Sequence, residues 1–328
     1  MNSISVSHST ISAGFIGSFV KKQYGLNGVV KARIIKTGIA HTYLIEHADE
    51  KFVFRVYFLN WRTEVEITEE IKLLNLLKEN NVSVSFPITG INDEYIQTVN
   101  APEGMRFAVL FSYAEGSKVR VLNEKTSYNI GILMANFHQL SENLSLKRID
   151  YNAQSLLYDS YEQTTKHFSK HNEEMQFIRK AADHIDKLFK NADETRLRKG
   201  VVHLDIWYDN MHINSESEMT IFDFDFCGNG WLLHDIAYFL TQLFHIEPDK
   251  QQYEAKKKAF LEGYEYITRI SDEEKRLLPY SAYSIWVFYL GIQSSRFDDW
   301  SNLFLSENYL PRFMGMGKAW LKYYGVEV

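Results

Sequence analysis

The residues that could do chemistry are concentrated in VVHLDIWYDNMHINSESEMTIFDFDF, residues 201–226. His203, Asp205 and Asn210 come first, and after twelve intervening residues follows Asp223-Phe-Asp225. Val201-Val202 ahead of His203 and Thr220-Ile221-Phe222 ahead of Asp223 read as short buried strands. Carboxylates do not sit at the mouth of apolar strands unless something positive meets them there. If residues 211–214 and 219–223 pair as a hairpin, Asn210 and Asp223 fall at one end, and Asp205 faces them from the preceding loop. An Asn amide oxygen and an Asp carboxylate are hard donors that suit Mg2+ held jointly with substrate phosphates. A third carboxylate, outside the metal's ligands, can orient a hydroxyl and accept its proton. Phosphoryl transfer needs that division of labour. The same residue types also form and tighten turns, which is the competing reading. His-x-Asp alone would not separate the two; the ordered set on loop, strand, turn and strand favours chemistry.

Other elements must hold this stretch in place. GVVKARII, HTYLIEH and KFVFRVYF are rich in β-branched and aromatic residues and read as strands. WRTEVEITEEIKLLNLLKENN switches to helical spacing, with Ile67, Ile71, Leu74 and Leu77 on one side. FPITGI, EYIQTV and MRFAVLFSY return to strand character, separated by Asn-Asp and Pro-Glu-Gly turns. From about Leu122 the texture is helical, interrupted only by the 201–226 stretch. The expectation is an α+β chain in two parts: residues 1–115 as a small β-rich lobe of antiparallel sheet plus one helix, and residues 116–328 as a large, mainly helical lobe.

Bulk properties narrow the class. A chain of 328 residues, 45% hydrophobic, can bury full cores without staples. Its single cysteine, Cys227, can form neither an internal disulfide nor a cysteine zinc site, which fits a reducing compartment. The N-terminal MNSISVSHSTISAGFIGSFVKK lacks the pattern of a signal peptide, and no apolar run is long enough to span a membrane. A cytoplasmic location is expected. The formal charge of −6 argues against nucleic acid as a partner.

VVHLDIWYDNMHI…TIFDFDF resembles the catalytic loop and metal-binding segment of the aminoglycoside phosphotransferase/choline kinase family, small-molecule kinases with a protein-kinase-like bilobal fold. GIAHTYLIE resembles the nucleotide loop of that family, FVFRVY its ATP-contacting strand, EEIKLLNLLKENNVSVSFPI its first helix and next strand, and MRFAVLFSYAEG its hinge. GILMANFHQL and HDIAYFL resemble later helices, and the order holds across roughly residues 30–245. The resemblance implies ATP and Mg2+ as cofactors and assigns roles by position. Residues 1–115 become the nucleotide-binding lobe, and residues 116–328 carry the catalytic loop and the acceptor site. Asp205 becomes the catalytic base, with His203 bracing its loop; Asn210 and Asp223 bind Mg2+, with Asp225 as an additional or substrate-facing carboxylate. Asp235 ties the loop down from the following helix. Gly38 belongs to the nucleotide loop, and Phe111 and Tyr113 line the adenine slot. Arg55 stands where familiar members carry a phosphate-contacting Lys, paired with Glu70, or with Glu66 or Glu69 if the helix register shifts. Arg keeps the charge but is not interchangeable with Lys, and an edge-strand Arg55 would point to solvent instead. At position 204 Leu replaces the usual Gly.

The acceptor is left open. Trp231, Tyr238, Phe239, Phe244, Tyr264, Tyr283, Trp286, Tyr289 and the acids of Arg296-Phe-Asp298-Asp299-Trp300 would suit a cationic alcohol, yet aromatics at such spacing are more often helix core. The leading expectation is a kinase for a small-molecule hydroxyl of aminoglycoside, choline or homoserine type. A Ser/Thr protein kinase of the bacterial stress-response type and a nucleotide-binding pseudokinase without turnover are the alternatives. ATP against GTP and oligomeric state are not decided by the sequence.

Overall fold

The computed structural model describes residues 6–296 and 308–328, so Asp298, Asp299 and Trp300 lie outside the described residues. The chain divides into two compact units, one ending at Glu115 and one starting at Gly116.

The first unit is an antiparallel sheet with a helix on each face. Its elements are α1 (Ala13–Gln23), β1 (Val30–Lys36), β2 (Ala40–His47), β3 (Glu50–Tyr57), α2 (Glu64–Glu79), β4 (Pro87–Ile88), β5 (Ile96–Ala101) and β6 (Gly104–Ser112). The strand order is β1-β2-β3-β6-β4, with β5 also pairing β6. Helix α1 differs from the expectation of one embedded helix. Ser12 caps it, and Ile16 and Val20 pack onto Tyr43, Ile45, Phe54 and Val56 of the sheet. Its two glycines weaken the helical signal. Gly17 is needed for contact, since a Cβ there would stand 3.1 Å from the Val30 carbonyl oxygen. Helix α2 opens with a capping box between Thr63 and Glu66 and buries Ile67, Ile71, Leu74 and Leu77. The segment before α1 is pinned by charge: Arg106 donates to the Ser9 carbonyl (3.0 Å), and Ser9 Oγ donates to Glu103 (2.7 Å).

The second unit contains α3 (Glu124–Ser141), α4 (Asp159–Thr164), α5 (Glu173–Lys190), β7 (Lys199–Val202), β8 (Met211–Ser215), β9 (Glu218–Ile221), β10 (Gly228–Trp231), α6 (Leu233–Ile246), α7 (Lys250–Ile267), α8 (Asp272–Ser295) and α9 (Tyr309–Tyr323). Helices α3 and α7 touch backbone to backbone through reciprocal glycines. A Cβ on Gly131 would fall 2.1 Å from the Phe260 oxygen, and one on Gly263 would fall 1.9 Å from the Tyr128 oxygen. Two short antiparallel ladders lie among the helices: β7 with β10, where Val202 pairs Gly228, and the β8–β9 hairpin, where Met211 pairs Ile221. Among the described residues no helix is long and apolar enough to cross a membrane.

Candidate active site

Strand β7 delivers its chain to the site and stops at Val202. The next three residues make a sharp loop because Leu204 adopts φ +65°, a left-handed conformation that costs a Cβ-bearing residue about 1–2 kcal/mol. Glycine would adopt this conformation without that cost, and the surrounding bonds show how Leu is tolerated. Asp235 on α6 is fully buried and accepts from both loop amides, His203 N–H (2.8 Å) and Leu204 N–H (2.6 Å). His138 Nε2 sits 3.1 Å from the same carboxylate, and its Nδ1 is 2.6 Å from the Tyr264 hydroxyl. The Leu204 side chain is itself fully buried.

His203 uses both ring nitrogens on backbone. Nδ1 accepts from the Asp205 amide (3.2 Å) and Nε2 donates to the Phe222 carbonyl (3.2 Å). Burial lowers its pKa, against the opposing pull of Asp235 and Asp223. With both nitrogens engaged on backbone, the ring ties the loop to the residue that follows β9.

The Asp205 carboxylate is held at both oxygens. Tyr238 on α6 donates its hydroxyl to Oδ1 (2.8 Å), and Asn210 donates Nδ2 to Oδ2 (2.6 Å) and to the Asp205 carbonyl (3.0 Å). Asn210 is 2% exposed. Since its amide nitrogen is turned to Asp205, its Oδ1 is the branch turned away. The Phe222 amide donates to the Asn210 carbonyl (3.0 Å), which sets the next residue, Asp223, beside Asn210 at the end of the hairpin. Asp223 also has a left-handed backbone, φ +66°, and leads into a tight turn over 224–226. Asp225 lies buried in that turn, where Arg148 donates to its main-chain oxygen. Cys227 follows, buried, its amide bonded to the Phe224 carbonyl (2.9 Å). Among the described residues no group of three or more His, Cys, Asp or Glu is arranged to hold a metal. Two hard oxygens completed by phosphate suit Mg2+, which rarely uses an all-protein cage. Asp209, the remaining aspartate of the stretch, pairs with Lys118 (2.7 Å).

In the first unit, Phe54 and Val56 face α1, so strand alternation turns Arg55 to the α2 side. There Arg55, 6% exposed, stands 3.6 Å from Glu70, which also accepts from the Tyr57 hydroxyl (3.3 Å). β3 is flanked by β2 and β6, so the edge-strand alternative for Arg55 does not apply. Glu69 pairs with Lys72 (2.6 Å), and Glu66 is used in the helix cap. Gly38 is at the β1–β2 turn, with nothing within 4 Å of where a Cβ would stand. Phe111 is buried on β6 and Lys51 lies over the Tyr113 ring (5.4 Å). The intervening Ser112 has its amide bonded to Phe86 O (2.8 Å), and its carbonyl accepts from Ser85 Oγ.

Most aromatics considered for the acceptor are core. Phe239 stacks on Phe260, Phe244 packs against Trp320, Trp286 stacks on Phe313, and Trp231 lies against Phe189. Tyr264 and Tyr283 are buried. Tyr238 and Tyr289 differ, because they touch the Asp205 loop: Tyr289 donates to the Leu204 carbonyl (3.2 Å), and the two rings stack at 5.4 Å. Their spacing gives no such signal, because helix-core aromatics recur at the same intervals.

Comparison with known proteins agrees with this arrangement. An uncharacterized protein of Synechocystis is 29% identical over 310 residues, spanning 90% of this chain and 82% of that one. A homoserine kinase of Bradyrhizobium diazoefficiens is 23% identical over 298 residues, spanning 90% and 87%. An amicoumacin kinase solved with AMP-PNP, Ca2+ and Ami superposes with a TM-score of 0.77 at 16% identity, over 95% of this chain and 94% of that one. These structural likenesses give the protein-kinase-like fold. The profile of the phosphotransferase enzyme family matches residues 31–269, a span that takes in both the Arg55–Glu70 pair and the Asp205 loop, and the chain belongs to that family.

Proposed function

We propose that the protein is an ATP- and Mg2+-dependent kinase that phosphorylates the hydroxyl of a small, amine-bearing alcohol. The observation that carries this reading is the Asp205 carboxylate, fixed at both oxygens beside the Asn210–Asp223 pair. Asp205 takes the hydroxyl proton as the acceptor oxygen bonds to the γ-phosphorus; the bond to the bridging oxygen breaks, and its electron pair leaves with ADP. Asn210, through Oδ1, and Asp223 would hold Mg2+, which when bound neutralises charge on the phosphates. Arg55, oriented by Glu70, supplies a forked cation for phosphate oxygens. Phe111 and Tyr113 would border the base and Gly38 the phosphates. Asp225 is the further carboxylate of the turn. The acceptor class is supported by the relatives, which include homoserine kinases and, by fold, a microcompartment-associated aminopropanol kinase and a choline kinase of Streptococcus pneumoniae.

The test is ADP release from Mg-ATP with homoserine, aminopropanol and choline, the Asp205→Asn variant run alongside. Acceptor-dependent release that is lost in the variant supports the reading. Equal release from both proteins removes Asp205 from the chemistry and the reading with it.

A further inference from the structure

We propose that Tyr238 is a positioning residue for the reaction, fixing the carboxylate rotamer of Asp205 so that one oxygen stays aimed at the acceptor hydroxyl. The inference rests on Asp205 being the base. Two helices reach the base from one side. From α6, Tyr238 donates to Oδ1 at 2.8 Å; from α8, Tyr289 donates to the carbonyl of the residue before it at 3.2 Å. The left-handed turn at Leu204 makes this possible, since it sends that residue's amide to Asp235 and its carbonyl to Tyr289. The side chain of the base and the carbonyl of the residue before it are thus gripped by tyrosines that stack on each other at 5.4 Å and 29°.

Tyr238 is suited to donate to Asp205 and not to act as a base itself. Burial, reinforced by the charge of Asp205, raises its pKa well above that of an ordinary phenol, so it keeps its proton and does not compete as a base. Asn210 holds Oδ2 through its amide but would carry a metal through the same side chain, so its geometry is tied to the nucleotide. Tyr238 grips the carboxylate independently of any ligand. Losing the Tyr238 donor on Oδ1 would leave the carboxylate freer to rotate about its Cβ–Cγ bond, because such sp2 torsions are broad.

The experiment uses the full chain in two arms. In the first, [13Cζ]tyrosine is incorporated, the Tyr238 resonance is assigned by its loss in Tyr238→Phe, and Asp205→Asn is compared with wild type without any ligand. The Tyr238 resonance moves in Asp205→Asn if its hydroxyl is bonded to that carboxylate; an unmoved resonance overturns the proposal. In the second, Tyr238→Phe is assayed with Mg-ATP and homoserine, aminopropanol or choline. The expected result is a kcat lower by about tenfold to hundredfold, the worth of a hydrogen bond to a charged group, with KM for Mg-ATP unchanged and the thermal midpoint still well above the assay temperature. An unchanged kcat overturns it, as does a loss explained by a lowered midpoint. If wild type phosphorylates none of these alcohols, the kinase reading fails, and the resonance alone decides whether Tyr238 holds Asp205.

Discussion

Leu204 offers a test in which alanine and glycine should reverse their usual order. Both substitutions empty the same buried site, and loss of a buried Leu side chain costs about 2–5 kcal/mol in either case. They differ in the backbone. At an ordinary position glycine is worse than alanine by about 0.5–1 kcal/mol, because it surrenders more freedom on folding. At φ +65° alanine retains a left-handed penalty of about 1–2 kcal/mol that glycine lacks. The difference places Leu204→Gly above Leu204→Ala by roughly 0.5–1 kcal/mol, with both below wild type. Urea unfolding followed by tryptophan fluorescence measures this, since Trp207, Trp231, Trp286 and Trp320 all belong to the second unit. Comparing midpoints at equal slope avoids the error of extrapolation to water. A glycine variant less stable than the alanine variant by about 1 kcal/mol would refute a left-handed residue at 204 and, with it, the account of how the loop is shaped.

Asp235→Ala should destabilise the second unit by roughly 3–9 kcal/mol, since two buried amides and His138 lose their acceptor at about 1–3 kcal/mol each; a urea midpoint within error of wild type would remove Asp235 as the anchor. Glu70→Ala leaves Arg55 buried beside an emptied site and should cost about 3 kcal/mol, whereas the double variant Arg55→Met, Glu70→Leu should recover stability while Mg-ATP binding, read by calorimetry, stays weak. Recovery of binding together with stability would take phosphate contact away from Arg55. His234 is buried with its pKa pushed down to about 4, so the folded protein keeps the ring neutral while the unfolded chain protonates it below about 6.5. Stability is therefore full above pH 6.5 and falls by about 3 kcal/mol as the pH drops toward 4, a loss that His234→Asn should flatten in urea titrations across that window.

The fold class was legible because the strands and α2 carry clean periodicities, and the 201–226 set was legible because its spacing matched loop, hairpin and turn. Helix α1 was hidden by its two glycines, and the close contact with β1 that requires one of them, Gly17, is visible only in three dimensions. Arg55 could not be placed because strand neighbours, and hence edge or interior status, are long-range facts. The departure at Leu204 could be noticed from sequence, but its backbone and the two amides converging on Asp235 could not. Aromatic spacing on α6 and α8 predicts core for nearly every member, and nothing in that spacing singles out Tyr238 and Tyr289, whose hydroxyls reach the Asp205 loop.

The buried Cys227 has a practical consequence. It is the sole thiol in the chain and lies just beyond the Asp223–Asp225 turn, closed by its amide bond to Phe224. A thiol reagent can reach it only when that turn opens, so the alkylation rate, divided by that of the unfolded chain, reads the local opening equilibrium directly. No label need be engineered and no acceptor need be known. The protein therefore carries a built-in clock for the breathing of its own Asp223–Asp225 turn, and slower alkylation on adding Mg-ATP would show the nucleotide closing it.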